Sequence, residues 1–276
     1  GSVFLQDANS LIMRPEDLAE ILHYLREKIP GIHRITSYAR SRTLARRTLE
    51  QLVMLRQAGL DRIHIGMESG YDPVLSFMEK GSTAAEHIKA GCLVKEASIS
   101  LSEYVMPGLG GKLWWREHAL ATADVLNQIN ADFIRLRSLR VPKSAPLSKK
   151  IETGEMELLD DDGVVREIRL FIEHLDGITS TVASDHIMNL LEEVSGKFPD
   201  DKNKMLAVVD AYQALSDIDR LIYRTGRRGG TYRSTDDLKL DKTTYDKIKN
   251  LIEQVQSEKG PQGVEAFITE MLYRYI

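Results

Sequence analysis

The stretch GLDRIHIGMESG, Gly59 to Gly70, reads as one buried strand that ends in a turn and delivers polar groups to one rim of a sheet. Side chains alternate across a strand, so Ile63, Ile65 and Met67 share one face while Arg62, His64, Gly66 and Glu68 share the other. In a parallel βα barrel the apolar face packs under helices and the mixed face points inward. Glu68 is then expected inside, at the carboxyl end of its strand, where function gathers in such folds. Ser69-Gly70 turns the chain, and Asp72-Pro73 supplies a cap and a first-turn proline that start a helix.

Further strand-like runs flank this one at about Val3 to Gln6, Ile32 to Ser37, Ile99 to Val105 and Asp132 to Ser138. Helical patterns lie between them, over Pro15 to Lys28, Thr43 to Ala58 (closed by Gly59), Thr83 to Ala97 and Trp114 to Ile129. Strand starts recur roughly every 30 residues, the length of one βα unit, which implies parallel strands with right-handed crossovers. A doubly wound open sheet gives the same alternation. A barrel-like closure is preferred because Arg135 and Arg137 share one strand face, whereas a sheet covered by helices on both faces reads as continuously apolar.

Beyond Ser138 the alternation stops. Arg140 to Ser148, with Pro142 and Pro146, reads as a loop; Asp160 to Asp162 cap a helix with the stripe Val164, Ile168, Phe171 and Leu175; and Ile178 to Ala183 reads as a short returning strand. From Pro199 onward the chain reads as helical. One stripe holds Met205, Val208, Tyr212, Leu215, Ile218 and Ile222 and is ended by Gly226, and two more helices run over about Thr243 to Ser257 and Pro261 to Tyr275. The expected organisation is an α/β partial barrel over residues 1–198 and a helical C-terminal appendage over residues 199–276.

Composition bounds the function classes. With 276 residues the chain can bury a large core, and 37 basic against 41 acidic residues, a net charge of -4, do not make a generally basic nucleic-acid surface. The single cysteine, Cys92, provides neither a disulfide framework nor a cysteine-rich metal site, and is read as a small apolar residue in the middle of a helix. No apolar run is long enough to span a bilayer, no signal peptide opens the chain, and Gly1-Ser2 reads as a remnant of cloning, so a cytoplasmic setting without a membrane partner is the default.

Two segments carry a resemblance, VFLQDANSLIM from Val3 and AGLDRIHIGMESGYDPVLSFMEKGSTAAEHIKAGCLVKEASISLSEYVMPGLGG from Ala58. In order and spacing, IGMESG, KGSTAAEHIKAGCLVKEA and YVMPGLGG are similar to the radical S-adenosylmethionine superfamily, in its iron-sulfur oxidoreductase branch of unassigned function, over roughly residues 3 to 190. The resemblance implies a radical-SAM TIM-barrel-like partial (βα) barrel, S-adenosylmethionine, and a four-iron four-sulfur (4Fe-4S) cluster on a CxxxCxxC loop after the family's first strand. That loop, with its strand and helix, is absent ahead of Val3, so the cluster is expected only in an intact protein carrying that unit, and this chain alone is expected to be inactive. Strand Val3 to Gln6 would then be a free edge inviting self-association.

Residue by residue, Asp7 and Asn9 match the segment whose backbone holds the methionyl amine in relatives, while a simple Asx turn is an equal alternative. Glu68 and Ser69 match the position that meets the ribose or methionyl part, with a barrel ion pair from Glu68 to Arg135 or Arg137 as the alternative. Tyr104, Met106 and Gly108 resemble the adenine-packing segment, and Arg137 completes the expected cofactor-binding set. Glu103 is an unusual neighbour in so buried a strand.

Three further features stand outside the resemblance. Arg40, Arg42, Arg46 and Arg47 lie near a strand end and read either as an anion site or, preferably, as a solvated helix face. Ser184-Asp185-His186 reads as an acid-base pair or a helix cap, and RTGRRGGTYR, Arg224 to Arg233, as a weak RNA or phosphate patch. The expected function is a fragment of a radical S-adenosylmethionine enzyme acting on an unknown substrate. The alternatives are a non-catalytic degenerate barrel that binds a ligand, and a metal-dependent barrel enzyme using Glu68, Asp185 and His186.

Overall fold

Seven strands join in one sheet in the order in which they occur along the chain. They are β1 (Ser2–Leu5), β2 (Arg34–Ala39), β3 (Arg62–Glu68), β4 (Ser100–Val105), β5 (Phe133–Leu136), β6 (Thr181–Ala183) and β7 (Gly196–Lys197). The structure is a computed structural model and describes residues 1–273. Pairs β1 to β6 are parallel, and β7 returns antiparallel along β6. A doubly wound sheet reverses its strand order at a switch point. This sheet never does, so its winding is that of an incomplete barrel, with a helical layer on one side and a helix-free face on the other.

The helical layer is α1 (Pro15–Lys28), α2 (Ser41–Leu44), α3 (Leu49–Ala58), α4 (Asp72–Phe77), α5 (Ala84–Glu96) and α6 (Gly111–Ile129), followed by α7 (Pro146–Glu152) and α8 (Asp161–His174). Ile63, Ile65 and Met67 are fully buried in the core with Leu52, Leu55, Ala90, Val94 and Leu126, so strand parity reads correctly. The single helix expected over Thr43 to Ala58 is broken. Thr48 forms a reciprocal capping box with Gln51, restarting the chain as α3, and Gly59 ends it in the left-handed region at φ 113°. Asp72 is not a cap either: Tyr71 occupies that position, and the Asp72 carboxylate accepts from Ala84 N at 2.7 Å, bracing the start of α5. Pro146 opens α7 where a loop was expected, since a first-turn proline needs no hydrogen-bond donor.

Two aspartates fix neighbouring strands in register. Asp61, just ahead of β3, accepts from Ile35 N at 2.6 Å and pairs with Arg26 at 2.5 Å and Arg56 at 3.0 Å. Asp132, just ahead of β5, repeats the device on Leu101 N at 2.7 Å and Lys95 at 2.6 Å. Each carboxylate thus ties the start of one strand to the start of the previous one and to the helix that leads into that previous strand, α1 through Arg26 and α5 through Lys95.

The C-terminal segment is helical as expected: α9 (Lys202–Gln213), α10 (Asp217–Arg228), α11 (Asp237–Leu240) and α12 (Lys242–Tyr273), the last merging two helices across Gly260 at φ 71°. Tyr275 of the expected final helix lies outside the described residues. The stripe Met205 to Ile222 is two helices rather than one, because Ser216 caps a new start by accepting from Asp219 N, and Ile218 is left exposed. Gly226 lies inside α10; a Cβ there would fall 2.3 Å from the ring of Tyr232, so the glycine serves a close approach. RTGRRGGTYR is correspondingly not a surface patch. Arg224, Arg227 and Arg228 are buried, with Arg224 and Arg228 on Asp161 at 3.2 and 2.9 Å and Arg227 on Glu192 at 3.0 Å. Burial alone would raise the Asp161 carboxyl, but Arg228, Arg140 and Arg224 together hold it well below the usual carboxylate range. Among the described residues, no helix is long and apolar enough to cross a membrane.

Replacing Asp61 with alanine leaves Arg26 and the Ile35 amide without their shared acceptor, and should cost about 1–3 kcal/mol. Urea unfolding measures it. A loss near zero would mean that the ion pairs only decorate the register.

Candidate functional site

A cavity of about 1160 Å³ opens at the carboxyl ends of β1, β2, β3 and β4. Tyr38 and Tyr104 line it and belong to a ladder of rings on the helix-free face: Phe4 and Tyr38 at 4.9 Å, Tyr38 and His64 at 5.7 Å, His64 and Tyr104 at 5.6 Å. Parity puts one ring on each of four successive strands, with Tyr104 in register with Gly66. Glu103, on the opposite face, is in register with Ile65 and Ile134. It is fully buried with neither oxygen partnered, and burial, then the charge of Glu68, push its carboxyl well above the ordinary value. Tyr104 therefore faces the cavity and Glu103 the helices.

Glu68 lines the cavity on the face that parity assigns it, but the backbone that brings it there departs from a regular strand. The β3–β4 register slips between Gly66 and Glu68, and Glu68 adopts φ 65°, a left-handed conformation rare for a side chain of this size. A Cβ on Gly66 would lie 2.5 Å from Glu68 Oε1, so the glycine makes room for the carboxylate to fold back. The partner of Glu68 is Lys80, at 3.3 Å, not Arg135 or Arg137. Those two arginines instead hold Asp185, at 3.1 and 3.0 Å. His186 accepts at Nδ1 from the Met188 amide and no helix starts at Ser184 to His186, so neither the Asp185–His186 hydrogen bond nor the helix cap, the two readings of this segment, is formed. Among the described residues no three His, Cys, Asp or Glu side chains converge as a metal-ligand set, and Glu68, Asp185 and His186 do not make the divalent site of the metal-dependent alternative.

The expected cofactor-binding set is divided by the fold. Asn9, Glu68 and Tyr104 line the cavity, and the Arg137 guanidinium lies 5.2 Å from the Tyr104 ring centroid. Asn9 is also a brace, accepting from Arg40 N at 3.0 Å and donating to Thr43 Oγ1 at 2.9 Å. Asp7 is exposed outside the lining, while Gln6 is within it. Ser69 is fully buried with its hydroxyl accepting from Tyr71 N, and Met106 is half-buried with its amide on Glu68 O. Gly108, at φ 90°, lies in a second pocket of about 230 Å³, its amide on Glu167. Cys92, read as a buried residue, is exposed on α5.

Tyr38, Lys80 and Ser82, which the sequence does not single out, line the cavity beside Arg40, Arg42, Arg46 and Arg47, the cluster it offers as an anion site or a solvated helix face. Strand parity was the available signal for Tyr38; for Lys80, twelve residues from Glu68, there was none. Behind this wall His87 is buried between Ser41 Oγ at 2.6 Å and Ser82 Oγ at 3.2 Å.

Burial, reinforced by Arg135, Arg62, Arg34 and Arg137, lowers His64 to about 4, and burial with Lys80 lowers His87 to about 4. Both are neutral at pH 7. In the unfolded chain they bind protons below about 6.5, so the native state binds fewer, and stability should be lost as pH falls from about 6.5 toward 4. Proton NMR of the imidazole C2 signals checks the assignment; a His64 titration near 6.5 would place its ring in solvent rather than among the rings of Phe4, Tyr38 and Tyr104.

No family model matches the chain. An uncharacterized protein of Methanocaldococcus jannaschii is 26% identical over 113 residues, which are 41% of this chain and 34% of that protein. Among solved structures, the archaeal Elp3 of Methanocaldococcus infernus with an N-terminal deletion is similar at a TM-score of 0.52 and 15% identity, over 67% of this chain and 48% of that one. Coproporphyrinogen III oxidase from Escherichia coli, described as a radical SAM enzyme, is similar at 0.49 and 16% identity, over 60% and 38% of the two chains. The chain thus spans about a third of the curated relative and about half of the Elp3 chain. At these identities the likeness is one of fold.

Proposed function

We propose that this chain is the cofactor-binding and substrate-facing part of a radical S-adenosylmethionine enzyme, its barrel formed by residues 1–198 and braced by residues 199–276. The observation that carries the reading is the gathering of Asn9, Glu68 and Tyr104 around one cavity at the carboxyl ends of the strands. The sequence motifs IGMESG and YVMPGLGG, which bring Glu68 and Tyr104 there, support it independently. At about 1160 Å³ the cavity exceeds the usual small-molecule pocket, leaving room for a second molecule beside the cofactor.

The chemistry available to these residues is binding and orientation. The Glu68 carboxylate, steadied by Lys80, can accept from two neighbouring ribose hydroxyls. Tyr104, backed by the Arg137 guanidinium, offers a flat wall to an adenine ring. Tyr38, which also lines the cavity, extends that wall, and the His64 ring packs against both tyrosines. A 4Fe-4S cluster, which supplies the electron for reductive cleavage when bound, does not fit these residues. It needs three thiolates, and the chain has only Cys92, exposed on α5. Cleavage of the cofactor therefore belongs, in this proposal, to an intact protein that brings those thiolates.

Two measurements test the reading. Anaerobic reconstitution of this chain with iron and sulfide should give no four-iron chromophore. Calorimetry with S-adenosylmethionine should find a Kd in the range of roughly 1 mM, since only ribose and adenine contacts remain, and Tyr104→Ala or Glu68→Gln should each weaken it about tenfold with melting unchanged. Binding indifferent to both substitutions would remove the cofactor from this cavity.

A further inference from the structure

Five cations and two carboxylates line the large cavity: Arg40, Arg42, Arg46, Arg47 and Lys80 against Glu68 and Glu79, an excess of three positive charges. This is unexpected in a chain whose net charge is -4. None of the four arginines is in an ion pair among the described residues. Arg47 donates to Leu11 O and Met13 O at 2.6 and 2.7 Å, and Arg42 makes a long bond to Gly81 O at 3.4 Å. The Arg40 and Arg46 guanidiniums have no protein partner among the described residues, and both side chains are exposed at the mouth.

The segment that carries them is held in place. Asn9 Oδ1 receives the Arg40 amide, Ser41 Oγ bonds the buried His87, Arg47 is clamped on two carbonyls, and the Thr48 capping box fixes the start of α3 directly behind. A solvated helix face needs no such bracing. Here the helical segment is broken so that the arginines face a cavity instead of continuing around a cylinder.

We propose that this arginine wall binds the phosphate groups of a small phosphorylated substrate, seated beside the cofactor subsite formed by Glu68 and Tyr104. Guanidinium groups match phosphate with paired, charge-assisted hydrogen bonds. A single carboxylate would cancel one of the three excess charges, a phosphate monoester about two, and a diphosphate approximately all three. The diphosphate is therefore the best electrostatic match. This assignment deepens the cofactor reading and rests on it only for what occupies the neighbouring subsite.

The test uses this chain and inorganic pyrophosphate, titrated by calorimetry at low ionic strength with S-adenosylmethionine titrated separately. Saturable binding at one site is expected, weakened about tenfold by Arg40→Gln and again by Arg46→Gln, less by Arg40→Lys, and not by Arg166→Gln, an exposed arginine on α8. The Arg40 and Arg46 side chains make no hydrogen bond or ion pair among the described residues and are exposed, so melting should be unchanged. Equal loss on Arg166→Gln, wild-type affinity in the Arg40→Gln/Arg46→Gln double variant, or binding of a short single-stranded RNA without pyrophosphate would overturn the assignment. Pyrophosphate binding through these arginines without S-adenosylmethionine binding would uphold the anion site and remove the cofactor reading. The reverse pattern, Tyr104-dependent cofactor binding with no pyrophosphate binding, would remove the anion site alone.

Discussion

Winding a parallel sheet in one direction leaves one of its faces without helices, and that constraint governs the rest of this structure. The covered face is apolar apart from Glu103, and Ile63, Ile65, Leu101, Ile134 and Val182 fill it with complete burial. The uncovered face curves around space instead of protein, so it can carry side chains that an interior excludes. Phe4, Tyr38, His64 and Tyr104 occupy it beside Arg62, Arg135 and Arg137. Rings and arginines coexist there because the guanidiniums lie over ring faces, as Arg62 does 4.3 Å from the centroid of Phe133. Their combined positive field, added to burial, is also what keeps His64 neutral.

A cavity at the carboxyl ends of the strands requires the chain to leave each strand sharply. At β3 this is achieved by a register slip and a left-handed glutamate, with Gly66 vacating the space into which the Glu68 carboxylate returns. Strained backbone of this kind costs on the order of 1–3 kcal/mol and persists only where neighbours hold it. The neighbours are visible: Gly70 N donates to Thr122 Oγ1, Met106 N donates to Glu68 O, and a Cβ on Gly70 would lie 2.5 Å from Ala121 O. Gly70 is accordingly the point at which α6 supports this turn.

The other end of the sheet is held by charge. Asp161, at the start of α8, receives Arg140 from the loop after β5 and Arg224 and Arg228 from α10, while Arg224 forks onto Glu265 of α12 at 2.8 and 2.6 Å. A buried carboxylate of this sort is costly unless several donors meet it, so the C-terminal helices can dock only where all three arginines reach it. Tyr212, Tyr223 and Tyr232 pack in sequence behind the network, which makes the helical segment continuous with the barrel core.

The sequence by itself determined what local physics dictates. Period-two alternation in RIHIGME and the caps at Asp160 and Gly59 marked the strands and helices, and Arg135 and Arg137 identified a face that helices do not cover. Only the tertiary structure decided which side chains meet. Glu68 pairs with Lys80 because α4 and the loop after it bring a distant residue across the mouth, and no spacing rule announces that contact. Arg40 to Arg47 line a cavity because a four-residue helix ends before Thr48, a break that helical periodicity passes over. Arg224, Arg227 and Arg228, which read as a surface patch, are interior because carboxylates far away in the chain await them. Periodicity records the face on which a residue lies; the residue it meets there depends on contacts between segments remote in sequence, which only the folded chain brings together.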